Sequence, residues 1–266
     1  MESAKKDGVK KDTVKKDGRK DAAVPASAPA SAQTQTRRFR ILDLEQPAQH
    51  LTVARLEPAE AEAFSFRAGQ FARVRFDNLP ARDLSLASRP GERLVEFHIR
   101  DLPREGASLF QKLKPGMDVT LEGPFGSGYL RENHAGPMLL AAGGSGIAPV
   151  KSIVEAALEK GMRQAMHVYF GVRDEPDLYL ETHFEALARE YSNLRFVPVL
   201  SGGPGEKSRR AGRVGEAIAA DFVRLAGWKA YVFGPSAMVH ATARLIFDLG
   251  AALADIHTDE PVVIAT

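Results

Sequence analysis

Short stretches in which hydrophobic and polar residues alternate fill the first half of the chain. The clearest is Phe71–Phe76, where apolar residues and arginines take turns, as in a strand with one buried face. This pattern predicts strands at 50–57, 70–76, 82–88, 93–101 and 118–123, and one short helix at 107–113. Several short strands at such spacing predict a closed antiparallel β-barrel.

After residue 137 the pattern changes to short apolar runs that alternate with longer amphipathic segments. The alternation is typical of a parallel sheet with helices on both faces. The predicted strands are 138–142, 167–172, 195–200 and 229–233, and the predicted helices end near 160 or cover 181–191, 214–222 and 237–249. The predicted fold class is β plus α/β, with an antiparallel β-barrel at 37–134 and a parallel-sheet α/β domain at 135–266.

Residues 1–36 show neither pattern. Lys-Lys-Asp recurs at 5–7, 10–12 and 15–17, and 22–36 hold Ala, Pro, Ser, Thr and Gln with one Val. Such a segment buries too little apolar surface to offset the entropy cost of ordering, so we predict a disordered basic tail and linker. It is either a tether to an acidic partner or a solubilising extension.

Composition narrows the class of protein further. The chain is 44% hydrophobic and 26% charged, as a soluble globular protein is, and it has no cysteine, which excludes thiolate metal sites and cysteine-ligated iron–sulfur clusters within it. The seven histidines lack metal-ligand spacing, so no metal is expected. The excess positive charge lies near the N-terminus and does not indicate nucleic-acid binding. No apolar run predicts a membrane span or a secretion signal, and the expected location is cytoplasmic.

Three segments carry candidate chemistry. Gly143–Gly146 with Pro149 lies between a predicted strand and helix, where glycines let the backbone approach a diphosphate and the helix N-terminus supplies N–H groups. Arg82 opens a predicted strand and is suited to a phosphate, and Ser85 is suited to donate to a ring nitrogen. Gly234 with Pro235 ends a predicted parallel strand, where ligands of open sheets bind. Taken singly, each segment is also compatible with an ordinary turn or strand edge.

In this order and spacing, the three segments resemble the ferredoxin–NADP reductase superfamily, especially reductase components of bacterial oxygenases and deoxysugar dehydratases. The resemblance covers roughly 37–260 and includes further matches at 66–71, 122–126, 171–173 and 198–201. It implies a flavoprotein that uses FAD, with FMN as the less favoured alternative, takes hydride from NADH or NADPH, and passes electrons to a separate acceptor. The implied acceptors are a ferredoxin, an oxygenase component or a small molecule.

The resemblance also implies a role for each matching residue. Arg82 is expected to hold a flavin phosphate, and Ser85 to lie near flavin N5 as the candidate catalytic residue. The other expected flavin-binding residues are Leu84, His98, Ile99 and Arg100, and Gly106, Ala107 and Ser108 in a phosphate turn. The residues expected to bind the nicotinamide dinucleotide are Gly143, Gly144, Ser145, Gly146, Pro149, Arg173, Ser201, Phe233, Gly234 and Pro235.

Two residues depart from the family pattern. Leu84 replaces the tyrosine that usually stacks on the flavin, and leucine has no π-face. Phe233 replaces a cysteine beside the nicotinamide, and its larger ring either hinders hydride geometry or packs against the cofactors. These departures keep open a second class of function, a non-catalytic or regulatory subunit that binds flavin or nucleotide without turnover.

The choice of nicotinamide depends on local charge. Users of NADP in this family commonly have an arginine after the serine that corresponds to Ser201, whereas here two glycines follow it, which favours NADH. Against this, Lys207, Arg209 and Arg210 lie close behind in the sequence and are candidates to reach a 2′-phosphate.

Overall fold

The structure is a computed structural model, and it describes residues 1, 21–23, 34–101, 109–203 and 209–265. The predictions for Gly106, Ala107, Ser108 and Lys207, and for most of 1–36, fall outside these residues. Within them lie an antiparallel sheet, a parallel sheet, and the pair of β1 (Asp21–Ala23) with the last strand, Val263–Ala265. The two larger sheets confirm the predicted fold class.

Six strands form the antiparallel sheet: β2 (Gln35–Ala48), β3 (Leu51–Pro58), β4 (Phe71–Phe76), β5 (Arg82–Ser85), β6 (Val95–Arg100) and β7 (Asp118–Phe125). Their order is β5-β4-β7-β2-β3-β6. Leu86, which directly follows β5, forms a bridge with Phe97 of β6, so the two edge strands meet and the barrel nearly closes. The short helix α1 (Leu109–Lys112) precedes β7.

Alternation of apolar and polar side chains fixes the register of the barrel. In β4, Ala72, Val74 and Phe76 are buried, whereas Arg73 and Arg75 are exposed. Burying one large apolar side chain stabilises the fold by about 1.5–3 kcal/mol. A one-residue shift would turn the arginines inward and lose that stabilisation along the whole strand.

The parallel sheet comprises β8 (Met138–Gly143), β9 (Met166–Val172), β10 (Leu194–Leu200), β11 (Arg210–Ala211), β12 (Lys229–Phe233) and β13 (Ile256–Thr258). The helices are α2 (Ile147–Glu159), α3 (Glu181–Glu190), α4 (Val214–Asp221) and α5 (Ser236–Asp248). The strand order is β11-β10-β9-β8-β12-β13. The chain therefore runs outward from β8 on one side and then crosses to β12 on the other. Such a switch point is where open α/β sheets bind ligands.

The structure contains several strands that were not predicted, among them the two-residue β11. β2 was not predicted, because only Phe39 and Ile41 are fully buried in it and the alternation is weak. β13 has three residues, too few for a clear pattern. Within 1–36, β1 pairs along the edge of the last strand and Gln35 begins β2, since backbone hydrogen bonding does not require apolar side chains.

A buried hydrogen bond and an ion pair along α2 join the barrel to the α/β domain. Ser152 Oγ donates to the carbonyl oxygen of Ser88 at 2.7 Å, and Lys151 Nζ lies 3.3 Å from the Glu96 carboxylate. Ser88 follows β5, and α2 follows the glycine-rich turn. These contacts therefore hold β5, which is predicted to bind flavin, close to the glycine-rich turn, which is predicted to bind the nucleotide. No helix in the described part of the chain is both long and apolar enough to cross a membrane.

A second buried contact across the interface joins Tyr179, in the loop before α3, to His98 on β6. The Tyr179 hydroxyl lies 2.9 Å from His98 Nδ1, and His98 Nε2 lies 2.9 Å from the Glu96 carboxylate. Burial lowers the pKa of His98 and raises the pKa of Tyr179, so both side chains are neutral near pH 7. His98 then donates from Nε2 to Glu96 and accepts the Tyr179 proton at Nδ1.

Tyr179→Phe is expected to lower the free energy of unfolding by about 1–3 kcal/mol, because it leaves the Nδ1 acceptor of buried His98 unpaired. Chemical denaturation measures this loss. Tyr191→Phe removes a surface hydroxyl that hydrogen-bonds only the adjacent Glu190 side chain, and it serves as the control with a smaller loss expected. Equal stability of the two variants would contradict the role of Tyr179 at the interface.

Candidate functional site

The carboxyl ends of β8 and β12 touch backbone to backbone at glycines. A Cβ on Gly146 would lie 2.5 Å from the carbonyl carbon of Phe233, and a Cβ on Gly234 would lie 2.9 Å from the amide nitrogen of Gly143. Gly234 also has a φ of +143°, in a region that favours glycine. The two segments predicted to bind the nicotinamide dinucleotide therefore meet at the switch point.

A cavity of about 720 Å³ opens at this junction, a size typical of cofactor sites. It runs over the carboxyl ends of the strands toward the N-terminus of α4. The predicted residues that line it are Arg100, Gly143, Gly144, Arg173, Ser201 and Pro235. Gly146 and Pro149 are buried at the start of α2, and Ser145 is half-buried beside them. The cavity thus gathers predicted residues from four strands and from the barrel.

Arg100 brings a positive charge from the barrel to the glycine-rich turn. A Cβ on Gly144 would lie 2.6 Å from Arg100 Nη1, so the guanidinium covers this glycine. A 3₁₀ turn at Gly144–Gly146 leads directly into helix α2, and the N–H of Ile147 donates to the carbonyl oxygen of Gly144. The N–H groups without helical partners, which carry the positive end of the helix dipole, therefore belong to this turn. A cation, free N–H groups and a surface without Cβ atoms fit a diphosphate.

Gly144→Ala is expected to weaken NADH binding at least about tenfold, a loss of about 1.4 kcal/mol, because the methyl group enters the space between the turn and Arg100. Fluorescence titration measures the dissociation constant. Gly161→Ala is the matched control, since Gly161 has a similar φ, +69° against +54°, and no atom within 4 Å of its Cβ position. Equal effects of the two variants on NADH binding would show that backbone strain, rather than the cradle, is responsible.

The two faces of β5 separate the residues predicted to bind flavin. Ser85 pairs with Phe71 on β4, and the Phe71 ring lies 5.7 Å from that of Phe125. Opposed residues of an antiparallel pair share a face, so Ser85 lies on the side of these aromatic rings. Leu84 pairs with Ala72 on the opposite face and packs half-buried against the barrel core.

The remaining barrel residues differ in what they offer a flavin. Arg82 is half-buried and shares the Leu84 face of β5. Ile99 is buried in the barrel core, and the His98 side chain is engaged by Tyr179, so flavin contacts from these two residues would come from their backbone. The side chains of His98 and Ile99 therefore pack within the protein and are not available to contact a flavin.

Phe233 does not project into the cavity. Its side chain is 1% exposed and belongs to the core of the α/β domain. Its ring lies against the barrel loop, the segment 126–137 between β7 and β8, and is 2.8 Å from the Cβ position of Gly128. The Phe233 ring therefore packs between the barrel and the parallel sheet and does not fill the cavity.

Asp259, directly after β13, was missed by sequence reasoning. Its Oδ1 is buried and has no hydrogen-bond partner among the described residues, although the residue as a whole is half-buried. Oδ1 lies 3.3 Å from the Cβ position of Gly128 and 3.7 Å from that of Gly126. Burial, together with the charge of Glu260, raises the pKa of Asp259 to about 7. The sequence shows only an acidic residue directly after Ile-His-Thr at 256–258, a pattern that does not predict burial.

The barrel loop contacts residues of both the barrel and the parallel sheet. Ser85 pairs with Phe71, whose ring lies 2.9 Å from the Cβ position of Gly126, and Asp259 lies beside the same loop. A buried polar atom without a partner usually marks a place where a ligand or water binds. Aromatic rings, glycine backbone and this unpaired carboxyl group fit the edge of a flavin ring.

Comparison with known proteins places the chain in a family. Residues 140–244 match the model of the oxidoreductase NAD-binding domain. The chain is 43% identical over 209 residues to the ferredoxin–NAD(P)⁺ reductase component of the naphthalene 1,2-dioxygenase/salicylate 5-hydroxylase systems of Ralstonia sp, covering 78% of this chain and 64% of that protein. It is 32% identical over 185 residues to an NAD(P)H-flavin reductase of Aliivibrio fischeri, covering 66% of this chain and 78% of that protein. The chain belongs to the ferredoxin–NADP reductase superfamily.

Solved structures from this superfamily share the fold. The Amycolatopsis cytochrome P450 reductase GcoB superposes with a TM-score of 0.79 at 31% identity, covering 85% of this chain and 70% of that one. A ferredoxin NADP⁺ reductase from Neisseria gonorrhoeae, whose structure holds FAD and NADP, has a TM-score of 0.74 at 22% identity, covering 84% and 97%. The predicted resemblance and the predicted two-domain fold are confirmed.

The two residues that depart from the family pattern, Leu84 and Phe233, both have packing roles in this structure. Leu84 packs against the barrel core and Phe233 packs in the core of the α/β domain. Both side chains therefore stabilise their own domains, and neither lines the cavity. The chain spans 64% of the length of the two relatives from dioxygenase systems.

Proposed function

We propose that this chain oxidises NADH with bound FAD and passes the electrons to a separate acceptor protein. The observation that carries the proposal is the glycine contact at the ends of β8 and β12. It brings the cavity that fits a dinucleotide next to the loop where Asp259 and Ser85 offer a surface for a flavin ring. Close approach in a fixed orientation is what hydride transfer requires of the protein.

The chain's own residues bind and orient the two cofactors in this proposal. Arg100 and the Gly144 turn hold the pyrophosphate of the dinucleotide, and Arg82 holds a flavin phosphate. Ser85 hydrogen-bonds the flavin ring, and Phe71 excludes water beside it. FAD, when bound, supplies the chemistry, since it accepts a hydride and releases electrons singly.

The acceptor that we propose is a ferredoxin or an oxygenase component. Relatives in Ralstonia and Pseudomonas putida are named as reductase components of naphthalene dioxygenase systems. No cysteine occurs in the 266 residues, so a cysteine-ligated cluster lies outside them. These relatives are named as reductases, which favours an enzyme over a regulatory subunit. The cytoplasm is the compartment that we propose for the activity.

NADH is the proposed donor because Arg209 and Arg210, two candidates for binding the 2′-phosphate of NADPH, form ion pairs with other residues. Arg209 has a side chain only 6% exposed and donates to both oxygens of the Glu181 carboxylate at 2.7 Å. Arg210 pairs with Asp221 and also donates to a backbone carbonyl oxygen. Neither guanidinium lines the cavity.

Steady-state oxidation of NADH and NADPH by the FAD-loaded protein tests the proposal. We expect NADH oxidation with ferricyanide and with an added [2Fe–2S] ferredoxin, and slower oxidation with NADPH. Free FAD without protein is the control. Absence of NADH oxidation with every acceptor, in protein that retains FAD, would overturn the proposed activity.

A further inference from the structure

The end of the cavity away from the barrel is formed by the turn after β10 and by the start of α4. The backbone nitrogen of Gly212 donates to the carbonyl oxygen of Leu200 at 2.9 Å, which places Gly212 beside Ser201. In the proposed function, on which this inference rests, the nicotinamide faces the barrel near Gly234. A dinucleotide that lies along the strand ends then has its adenosine ribose at this far end.

One carboxylate lines the far end, and a second lies near it outside the cavity lining. Glu216 lines the cavity, and its Oε2 accepts a hydrogen bond from the backbone nitrogen of Arg213 at 2.7 Å. The same oxygen lies 2.6 Å from the Cβ position of Gly212, and Asp174 Oδ1 lies 2.7 Å from that of Gly202. The N-terminus of α4, which favours an anion, therefore already holds one that belongs to the protein.

Arginines also lie near the far end, and Arg173 and Arg213 line the cavity. Arg209 and Arg210 are engaged in the ion pairs described above. Arg173 is 83% exposed in its side chain, and its Nε lies 3.7 Å from the Asp174 carboxylate. Arg213 and Glu216 both line the cavity and are both exposed, so solvent and salt screen the two charges alike. The Glu216 carboxylate is distinguished by its position, since the backbone nitrogen of Arg213 donates to it.

We propose that Glu216 makes the cavity select NADH over NADPH. Its carboxylate accepts a hydrogen bond from the 2′-hydroxyl of the adenosine ribose and repels a 2′-phosphate at the same place. An acidic residue on the 2′-hydroxyl is the general solution of NAD-binding folds, and an arginine accommodates the 2′-phosphate in those that bind NADP. The backbone hydrogen bond to Arg213 holds the Glu216 carboxylate in position for this contact.

Binding of NAD⁺, NADP⁺, 5′-AMP and 2′,5′-ADP to the FAD-loaded protein, measured by isothermal titration calorimetry, tests the assignment without turnover. We expect the wild type to bind NAD⁺ at least about tenfold more tightly than NADP⁺, and Glu216→Gln to reduce that ratio about tenfold. 2′,5′-ADP is expected to gain affinity in the variant relative to 5′-AMP. Glutamine still accepts the hydrogen bond from Arg213, so the start of α4 is preserved.

Glu185→Gln, on the exposed face of α3 outside the cavity, is the matched control and should keep the wild-type ratio. An unchanged ratio in Glu216→Gln would overturn the role of Glu216. Equal binding of NAD⁺ and NADP⁺ by the wild type would overturn it without any variant, and would leave the proposed oxidoreductase intact. Failure of the wild type to bind either dinucleotide would instead overturn the proposed function.

Discussion

Gly146→Ala is expected to destabilise the protein by about 3 kcal/mol, near the upper end of typical overpacking effects. The added methyl group would lie 2.5 Å from the carbonyl carbon of Phe233 and 2.7 Å from the backbone nitrogen of Gly234. These atoms belong to the main chain at the end of β12 and cannot rotate away. Gly146 has a φ of −61°, which alanine adopts readily, so the loss comes from the contact alone. Dinucleotide binding is expected to fall with it, because relief of the contact opens the junction under the cavity.

Urea denaturation of Gly146→Ala and Gly215→Ala measures the effect against a matched control. Gly215 lies in α4, where the nearest atom to its Cβ position is Leu245 Cδ2 at an ordinary 3.4 Å. Alanine in place of glycine inside a helix stabilises by up to about 1 kcal/mol, so this variant should unfold at or above the wild-type midpoint. Equal midpoints for Gly146→Ala and the wild type would contradict the close backbone contact of β8 and β12.

Asp259→Asn is expected to stabilise the protein above neutral pH by up to about 4 kcal/mol. The pKa of Asp259 is about 7 in the folded chain, because burial disfavours the charged form, and near 4 in the unfolded chain. Between these values the folded state holds a proton that the unfolded state has released. Stability of the wild type therefore falls as pH rises from about 4 to about 7, and it stays low above that range. Asparagine does not ionise, so the variant escapes this loss.

The difference in unfolding free energy between wild type and Asp259→Asn, measured from pH 4.5 to pH 8.5, isolates this carboxyl group. His257 has the opposite effect on the pH dependence of stability, and it has this effect in both proteins. Its pKa is lowered to about 3 by burial, so stability falls as pH decreases from about 6.5. The difference between the proteins should grow with pH and level off near pH 8. A difference that is independent of pH would contradict the buried, unpaired state of Asp259.

The alternation of strands and helices was predictable because the strands of the parallel sheet are apolar at nearly every position. In β8, all six residues are buried, which no surface element would tolerate. The glycine-rich turn was predictable for the same local reason, since its neighbours mark a strand and a helix. β2 escaped prediction because most of its 14 residues are at least partly exposed, and its pairing depends on strands far away in the sequence.

Side-chain directions in the site depend on tertiary neighbours and could not be predicted. Whether Phe233 enters the cavity is decided by Gly128, more than a hundred residues earlier in the sequence. The sequence made Arg209 a candidate phosphate ligand, but its guanidinium forms an ion pair with Glu181 on α3. Asp259 follows an ordinary short strand, and only packing against the barrel loop removes it from solvent. The sequence identified which segments meet at the site but not which side chains face the ligands.

Anaerobic mixing of the FAD-loaded protein with NADH, followed in the visible absorbance band of the flavin, tests most directly whether the two cofactors meet at the end of β12. We predict stoichiometric retention of FAD after gel filtration and rapid bleaching of the band when NADH is added. A protein that retains FAD but leaves it oxidised in the presence of bound NADH would contradict the proposed electron route between barrel and sheet.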